Sequence, residues 1–92
     1  MNDEVYDLVV ARPAARAISD VLPENVAAAV LDFVTGVLIE NPHRVGRELR
    51  RELAGIFSAR RGTYRILYRI DDVTRTVTVL RIDHRSDVYR TR

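Results

Sequence analysis

Residues 58–89 read SARRGTYRILYRIDDVTRTVTVLRIDHRSDVY, and this stretch decides the fold. Apolar, aromatic and β-branched residues alternate with arginines, which is the period of a half-buried strand. Together with the residues just before it, the pattern predicts three strands at 56–61, 64–71 and 76–82. A Gly-Thr pair marks a tight turn between the first two strands, and a short polar segment connects the next two. Three consecutive strands with short connections predict an antiparallel meander.

The middle strand of this meander has two distinct faces. Arg65 and Arg69 lie on one face, which we expect to be exposed. Four apolar or aromatic side chains share the other face, which we expect the helices to cover: Tyr64, Ile66, Tyr68 and Ile70. The two tyrosines of the covered face are predicted to be core residues and not platforms on which bases stack.

Toward the N-terminus the sequence predicts a strand and two helices. Residues 5–10 form a short apolar run with β-branched members, which is typical of a strand. A helix from Arg12 to Leu22 is followed by a second helix from Pro23 to Ile39, and prolines mark their boundaries. The charged segment 42–55 lacks clear periodicity, so we predict a connection with at most one helical turn at 47–53.

These elements predict a single α+β domain covering residues 1–92. Its N-terminal strand is followed by an antiparallel hairpin of two helices and then by the three-stranded antiparallel meander. We expect the helices to cover one face of a small sheet, and the N-terminal strand to add beside one of the later strands. The other face of the sheet would then be open.

Charge is segregated along the chain, although the formal net charge is only +2. Residues 1–40 carry two arginines against seven acidic residues, whereas residues 41–92 carry thirteen arginines against six acidic residues. The chain has no lysine, and a GC-rich coding bias can explain that choice of cation but not the segregation. The basic half is therefore predicted to be the side that meets nucleic acid.

The composition argues against several classes of protein. Without cysteine the chain has neither a disulfide framework nor a thiolate metal site, and its two histidines show no metal-ligand spacing. We therefore predict no metal site and no cofactor. The N-terminus carries acidic residues and only a short apolar run, so it predicts neither a secretory signal nor a membrane span. We expect a cytoplasmic protein.

The segments ARRGTYRILYRIDD and VTVLRIDHRSDVYR resemble the RelE/ParE superfamily of toxins from bacterial and archaeal toxin–antitoxin modules. Members commonly show a G-x-Y-R-[VIL]-x-Y turn and strand and a closing H-R-x-D-V-Y, and the likeness extends over nearly the whole chain. The resemblance implies a small toxin held in a hetero-oligomer with a cognate antitoxin protein. Its activity would be ribosome-dependent cleavage of messenger RNA in the RelE branch, or poisoning of gyrase in the ParE branch.

The resemblance also implies catalytic residues. Arg65 follows the Gly-Thr-Tyr turn, Arg85 belongs to the closing His-Arg pair, and Tyr89 is the closing tyrosine. All three match the RelE pattern. Ile56 and Ser58 stand where some RelE toxins carry lysines, which removes one obvious general base.

These residue types also suit RNA cleavage without a metal ion. In that reaction the 2′-hydroxyl attacks its own phosphodiester, so the protein must offset growing negative charge and move two protons. Arg65 and Arg85 offer planar forks of donors that match phosphate oxygens, while His84 and Tyr89 can exchange protons. Six further arginines are predicted to track the RNA backbone: Arg47, Arg50, Arg51, Arg60, Arg61 and Arg69.

Each assignment has a plainer alternative. His84 can equally be a hydrogen-bonded histidine at a strand end that never moves a proton. The arginines of segment 42–55 can be a solvated charged turn. At the level of function, the chain can be a non-catalytic gyrase inhibitor resembling ParE, or a degenerate member that binds RNA or its antitoxin and kills nothing. The closing cluster of His84, Arg85 and Tyr89 favours the nuclease.

Overall fold

A computed structural model of the chain describes residues 5–84. Its centre is a five-stranded sheet with the strand order β1-β5-β4-β3-β2. The strands are β1 Asp7–Val10, β2 Arg47–Glu48, β3 Ile56–Arg61, β4 Tyr64–Asp71 and β5 Thr76–His84. The predicted α+β class is confirmed, and the sheet has one strand more than the sequence indicated.

β3, β4 and β5 form the predicted antiparallel meander. β3 and β4 have the predicted bounds, and Gly62 provides the left-handed residue of their turn at φ 60°. The pairing of β4 with β5 shifts register between Leu67 and Tyr68, where β5 accommodates an extra residue. β5 ends two residues later than predicted, because its pairing with β4 continues as far as Tyr64↔His84.

β1 lies beside β5 and runs parallel to it, from Asp7↔Thr76 to Val10↔Val79. It begins two residues later than the predicted 5–10. Parallel pairing requires a long connection, which here comprises all the helices and the other three strands. The prediction that the N-terminal strand adds beside a later strand is confirmed, and that strand is β5.

Two helical stretches follow β1, as predicted, but neither is one regular α-helix. α1 spans Arg12–Arg16 and continues as a π-helical turn over Ala17–Val21. The second stretch is divided into α2, Glu24–Thr35, and α3, Val37–Glu40. The break is at Gly36, a poor helix former, whose amide bonds to the carbonyl three residues back at 3.3 Å. None of the helices within residues 5–84 combines the length and apolar character needed to cross a membrane.

The segment 42–55 is the main departure from the prediction. It contains α4 at Pro42–Val45, the two-residue strand β2 and a 3₁₀ turn at Arg51–Leu53, where we expected a connection with at most one helical turn. β2 pairs antiparallel with β3 through Arg47↔Ser58. A strand of two residues has no periodicity to recognise, so only its partner strand defines it.

The core lies between the helices and one face of the sheet. Its helical side chains are Ala14, Ala17, Val30, Phe33, Val34 and Leu38, and its strand side chains include Ala59, Ile66, Tyr68, Val77, Val79 and Ile82. Tyr68 is fully buried and Tyr64 packs half-buried against this core, as predicted for that face of β4. Arg65 and Arg69 alternate with these residues and lie on the opposite face of the sheet.

A buried polar contact fixes α4 and β2 to the sheet. The Tyr68 hydroxyl donates to the Pro42 carbonyl at 2.6 Å, and both residues are buried. Gly46, between α4 and β2, lies so close that a Cβ atom there would overlap this hydroxyl and would lie 3.0 Å from the Ser58 carbonyl oxygen. The segment that leads into Arg47 is therefore held by close packing against β3 and β4.

Candidate functional site

An open cleft of about 440 Å³ lies where the segment leading into β2 meets β3 and β4. Three arginines line it, Arg47, Arg60 and Arg65, together with Ser58. Arg47 and Arg60 are exposed, and Arg65 is half-buried. This cleft, called the arginine cleft below, gathers three of the residues that the sequence assigned to catalysis or RNA binding.

Strand register explains why these side chains converge. Arg60 is the cross-strand partner of Arg65, and Arg47 is the cross-strand partner of Ser58. Residues directly opposite each other share a face of the sheet, and so do residues two apart in one strand, such as Ser58 and Arg60. Three neighbouring strands thus each deliver one arginine to the sheet face opposite the core.

The arginine cleft is suited to an anion with several oxygens. Like charges on adjacent strands repel one another, and none of the described residues that line the cleft is acidic. A bound phosphate would relieve that repulsion and accept hydrogen bonds from the guanidinium forks. The cleft can therefore hold a phosphodiester and offset negative charge that develops on it.

Three other arginines predicted to contact RNA do not line the arginine cleft. Arg69 is exposed on the same sheet face, where it pairs with Ile56. Arg50 and Arg51 follow β2 and are exposed, and Arg51 begins the 3₁₀ turn with a φ of 58°. Their role as RNA contacts stays a prediction.

Arg61 is separated from Arg60 by the alternation along β3. Its register partner is Tyr64, on the face that the helices cover. The guanidinium carbon of Arg61 lies 3.8 Å from the centre of the Phe33 ring, and one guanidinium nitrogen donates to the Arg60 carbonyl at 2.7 Å. The sequence analysis named both Arg60 and Arg61 as RNA contacts, but their side chains lie on opposite faces of the sheet, because neighbouring residues of a strand point to opposite faces. The RNA contact of Arg61 stays a prediction.

His84 and Arg65 also lie on opposite faces of the sheet. His84 pairs with Tyr64 across β4 and β5, and the two rings meet edge to face with their centres 5.1 Å apart. Arg65 pairs with Asp83 on the other face. This geometry fits the alternative in which His84 is a packed histidine at a strand end.

Two of the predicted catalytic residues, Arg85 and Tyr89, lie outside the described residues. Their roles as a charge clamp and as a group that exchanges a proton therefore stay predictions. Of the predicted catalytic set, Arg65 and His84 are described, and the sheet separates their side chains.

The sequence analysis missed an acidic residue beside the arginines. Asp83 is directly opposite Arg65, and its carboxylate accepts a hydrogen bond from the Arg81 guanidinium at 3.1 Å. The Asp83 side chain is only 15% exposed. The sequence could have indicated this pair, because Arg81 and Asp83 are two residues apart at the end of a predicted strand and residues at that spacing share a face.

A second polar cluster lies at the other end of β4. Asp72, just after β4, accepts a hydrogen bond from the buried Tyr6 hydroxyl at 2.6 Å. Nε2 of His43 lies 3.1 Å from both carboxylate oxygens of Asp72, and the Arg75 guanidinium lies 4.2 Å from the centre of the Tyr6 ring. Within residues 5–84, no three histidine, cysteine, aspartate or glutamate side chains are grouped to hold a metal ion. The cluster is therefore a hydrogen-bond network.

Asp72 should make the folded chain more sensitive to acid. Its pKa is lowered from the ordinary value of 3.8, first by the hydrogen bond from Tyr6 and then by the one from His43. Because the folded pKa lies below the unfolded one, the stability from this carboxylate is present above about pH 4 and is lost as the pH falls through the folded pKa. The effect should be small, since the side chains of Asp72 and His43 are 58% and 52% exposed.

The measurement is thermal unfolding of Asp72→Asn and of the parent chain between neutral pH and about pH 3. We expect a lower Tm for the variant at neutral pH and a smaller difference in acid. Asp32→Asn, which alters an exposed carboxylate of α2, serves as the control. Equal Tm values at neutral pH would show that the Asp72 network contributes no stability.

The chain matches known toxins along most of its length. A family model described as ParE toxin of type II toxin–antitoxin system, parDE, matches residues 9–89. Toxin RelG of Mycobacterium tuberculosis is 64% identical over 69 residues, which are 75% of this chain and 79% of that protein. Toxin RelE of the same organism is 46% identical over 89 residues, which are 97% of this chain and 91% of that protein.

The fold also matches an experimental structure. A chain in the crystal structure of the toxin–antitoxin complex RelBE2 from Mycobacterium tuberculosis superposes with a TM-score of 0.82 at 54% sequence identity. The match covers 88% of this chain and 99% of that chain. The sequence matches and the structural match thus agree on one class of protein.

Proposed function

Because this chain belongs to the ParE toxin family of type II toxin–antitoxin systems, we propose that it is a toxin that cuts messenger RNA on the ribosome. Cleavage would stop translation and growth. The observation that carries the proposal is the arginine cleft, because its three guanidiniums suit a phosphodiester. The two similar toxins are named RelG and RelE. In the resemblance described above, RNA cleavage is the activity of the RelE branch and gyrase poisoning that of the ParE branch.

The proposed reaction uses the 2′-hydroxyl of the RNA as the nucleophile, and guanidinium groups supply the positive charge without a metal ion. Arg65 is half-buried, so water screens its interaction with a phosphate less than it does at an exposed site. Arg47 and Arg60 are more exposed and hold the neighbouring backbone in register. Arg85 and Tyr89 are assigned the second charge clamp and a proton transfer, on the strength of their motif.

We propose that a cognate antitoxin neutralises the chain by covering the arginine cleft. The similar RelBE2 structure is a toxin–antitoxin complex. An acidic segment that orders on binding can cover three arginines and remains open to proteases when it is released. Toxin and antitoxin would form a hetero-oligomer in the cytoplasm, where ribosomes and messages are found.

The test is to induce the chain alone and together with the product of an adjacent small reading frame. Alone, the chain should stop translation rapidly and produce new 5′ ends within translated messages. Co-expression should restore growth, and the two proteins should purify together. A DNA-damage response with altered supercoiling and intact messages would support gyrase inhibition instead. Normal growth with a folded chain would favour the degenerate RNA-binding alternative.

A further inference from the structure

Asp83 lies between two groups of arginines. On one side it is directly opposite Arg65 of the arginine cleft. On the other side it lines a second open cleft, of about 440 Å³, with Arg12 and Arg16 of α1. Both of these arginines are exposed, and residues four apart on a helix face the same way. Asp83 is thus flanked by arginines of β4 and of α1.

The Asp83 carboxylate is only partly used by other bonds. Its Oδ1 atom accepts from Arg81, and its Oδ2 atom makes no hydrogen bond to any residue between 5 and 84. Asp72 uses both carboxylate oxygens in hydrogen bonds, with Tyr6 and His43, whereas Asp71 and Glu48, like Asp83, each use one oxygen. Of these carboxylates, Asp83 is the one directly opposite Arg65. Asp83 keeps one oxygen for another partner.

The described side chains that line the arginine cleft together with Arg65 include no carboxylate and no imidazole. The described residues that line the arginine cleft are arginines, Ser58 and residues with apolar side chains or none. A guanidinium donates hydrogen bonds and has no acceptor atom. His84 lies on the opposite sheet face, against Tyr64. Among residues 5–84, Asp83 is the group beside Arg65 that can take up a proton.

We propose that Asp83 is the general base of the cleavage reaction, an inference that rests on the proposed function. Asp83 takes the proton of the 2′-hydroxyl, and the 2′-oxygen forms a bond to phosphorus. The bond from phosphorus to the 5′-oxygen breaks, and the leaving oxygen takes up a proton, which is the transfer that the proposed function assigns to Tyr89. The products are a 2′,3′-cyclic phosphate and a 5′-hydroxyl. Arg65 holds the phosphate.

The informative variant is Asp83→Asn, which keeps the shape and an oxygen for Arg81 but lacks a basic atom. We expect cleavage of ribosome-bound message to slow by roughly 10²- to 10⁴-fold, the usual contribution of a positioned proton transfer. Binding to the ribosome should be unchanged or tighter, because a negative charge has left a cationic surface. Slower cleavage without weaker binding distinguishes a base from a residue that only shapes the site.

Arg81→Gln is the matched control, because it removes the ion pair and leaves the carboxylate in place. We expect it to slow cleavage far less than Asp83→Asn does. Added formate should raise the cleavage rate of Asp83→Ala, since a small carboxylate can fill the space and accept the proton. It should not raise the rate of Arg65→Ala. Melting curves establish that each variant is folded.

Several results would overturn the assignment of Asp83 and leave the nuclease standing. They are cleavage by Asp83→Asn at the parent rate, a loss of binding that accounts for the whole loss of cleavage, or an equal loss in Arg81→Gln. If Asp83→Asn does not fold, the rate of cleavage by Asp83→Glu is measured instead, because glutamate keeps a carboxylate. A glutamate variant that folds but does not cleave would contradict the assignment of Asp83 as the general base. If the parent chain cuts no message, the proposed function fails and the assignment of Asp83 fails with it.

Discussion

Arg65→Ala should slow message cleavage by roughly 10²- to 10³-fold and relieve the growth arrest, as the loss of one preorganised donor does in other enzymes. Arg65 is the half-buried member of the arginine cleft, with Arg60 on one neighbouring strand and Asp83 on the other. A fixed cation interacts more strongly with charge that develops in the transition state than with the bound substrate. The measurements are the rate at which cut ends appear on ribosomes carrying a message, and growth after induction.

Arg65→Lys should recover only part of the activity, because an ammonium group lacks the planar fork of donors. Arg44→Ala is the matched control, since Arg44 is an exposed arginine of α4 that does not line the arginine cleft. Arg85→Ala is predicted to act like Arg65→Ala. Because Arg65 is half-buried, a melting curve must accompany its variants. If folded Arg65→Ala arrests growth as quickly as the parent, the arginine cleft has no part in the mechanism.

Tyr68→Ala should destabilise the fold by about 3–5 kcal/mol, the usual range for removing a large buried aromatic side chain. Tyr68 is fully buried, its ring stacks on Phe57 with centres 5.5 Å apart, and its hydroxyl donates to the Pro42 carbonyl. Burial raises the pKa of Tyr68 to about 12, so the hydroxyl keeps its proton at neutral pH. Small domains have only about 5–15 kcal/mol of stability, so this change should remove a large share of it and lower the Tm clearly.

Tyr68→Phe isolates the contribution of the hydroxyl. It leaves the buried Pro42 carbonyl without its donor, so we expect a loss of about 1–3 kcal/mol, measured by urea unfolding. Tyr68→Phe should also lower the rate of cleavage, because this hydrogen bond anchors the segment that carries Arg47. Gly46→Ala should lower both stability and cleavage, because its Cβ atom would overlap the Tyr68 hydroxyl. Tyr64→Phe is the matched control, as the Tyr64 hydroxyl makes no hydrogen bond to the described residues. Equal stability of Tyr68→Phe and the parent would show that the bond contributes nothing.

Local pattern was enough to predict the meander and the class of protein. Alternation and turn residues identified β3, β4 and most of β5 without reference to any distant partner, because strand period and turn chemistry are local properties. The arginine and tyrosine motifs of these strands pointed to the toxin superfamily, which the matches with known toxins confirm. The same alternation places Arg60 and Arg61 on opposite faces of the sheet, so this difference between them could have been predicted from the sequence.

Only the tertiary structure decided which side chains meet. Arg47 reaches the arginine cleft from a two-residue strand that has no period of its own. Tyr6 and Asp72 are 66 residues apart and hydrogen-bonded, and Asp83 lies beside Arg65 through the pairing of β5 with β4. The physical reason is that strand order and register are set when one face of the whole sheet is buried at once. Strand order and register therefore depend on all the strands together, and they cannot be predicted from any single segment of the sequence.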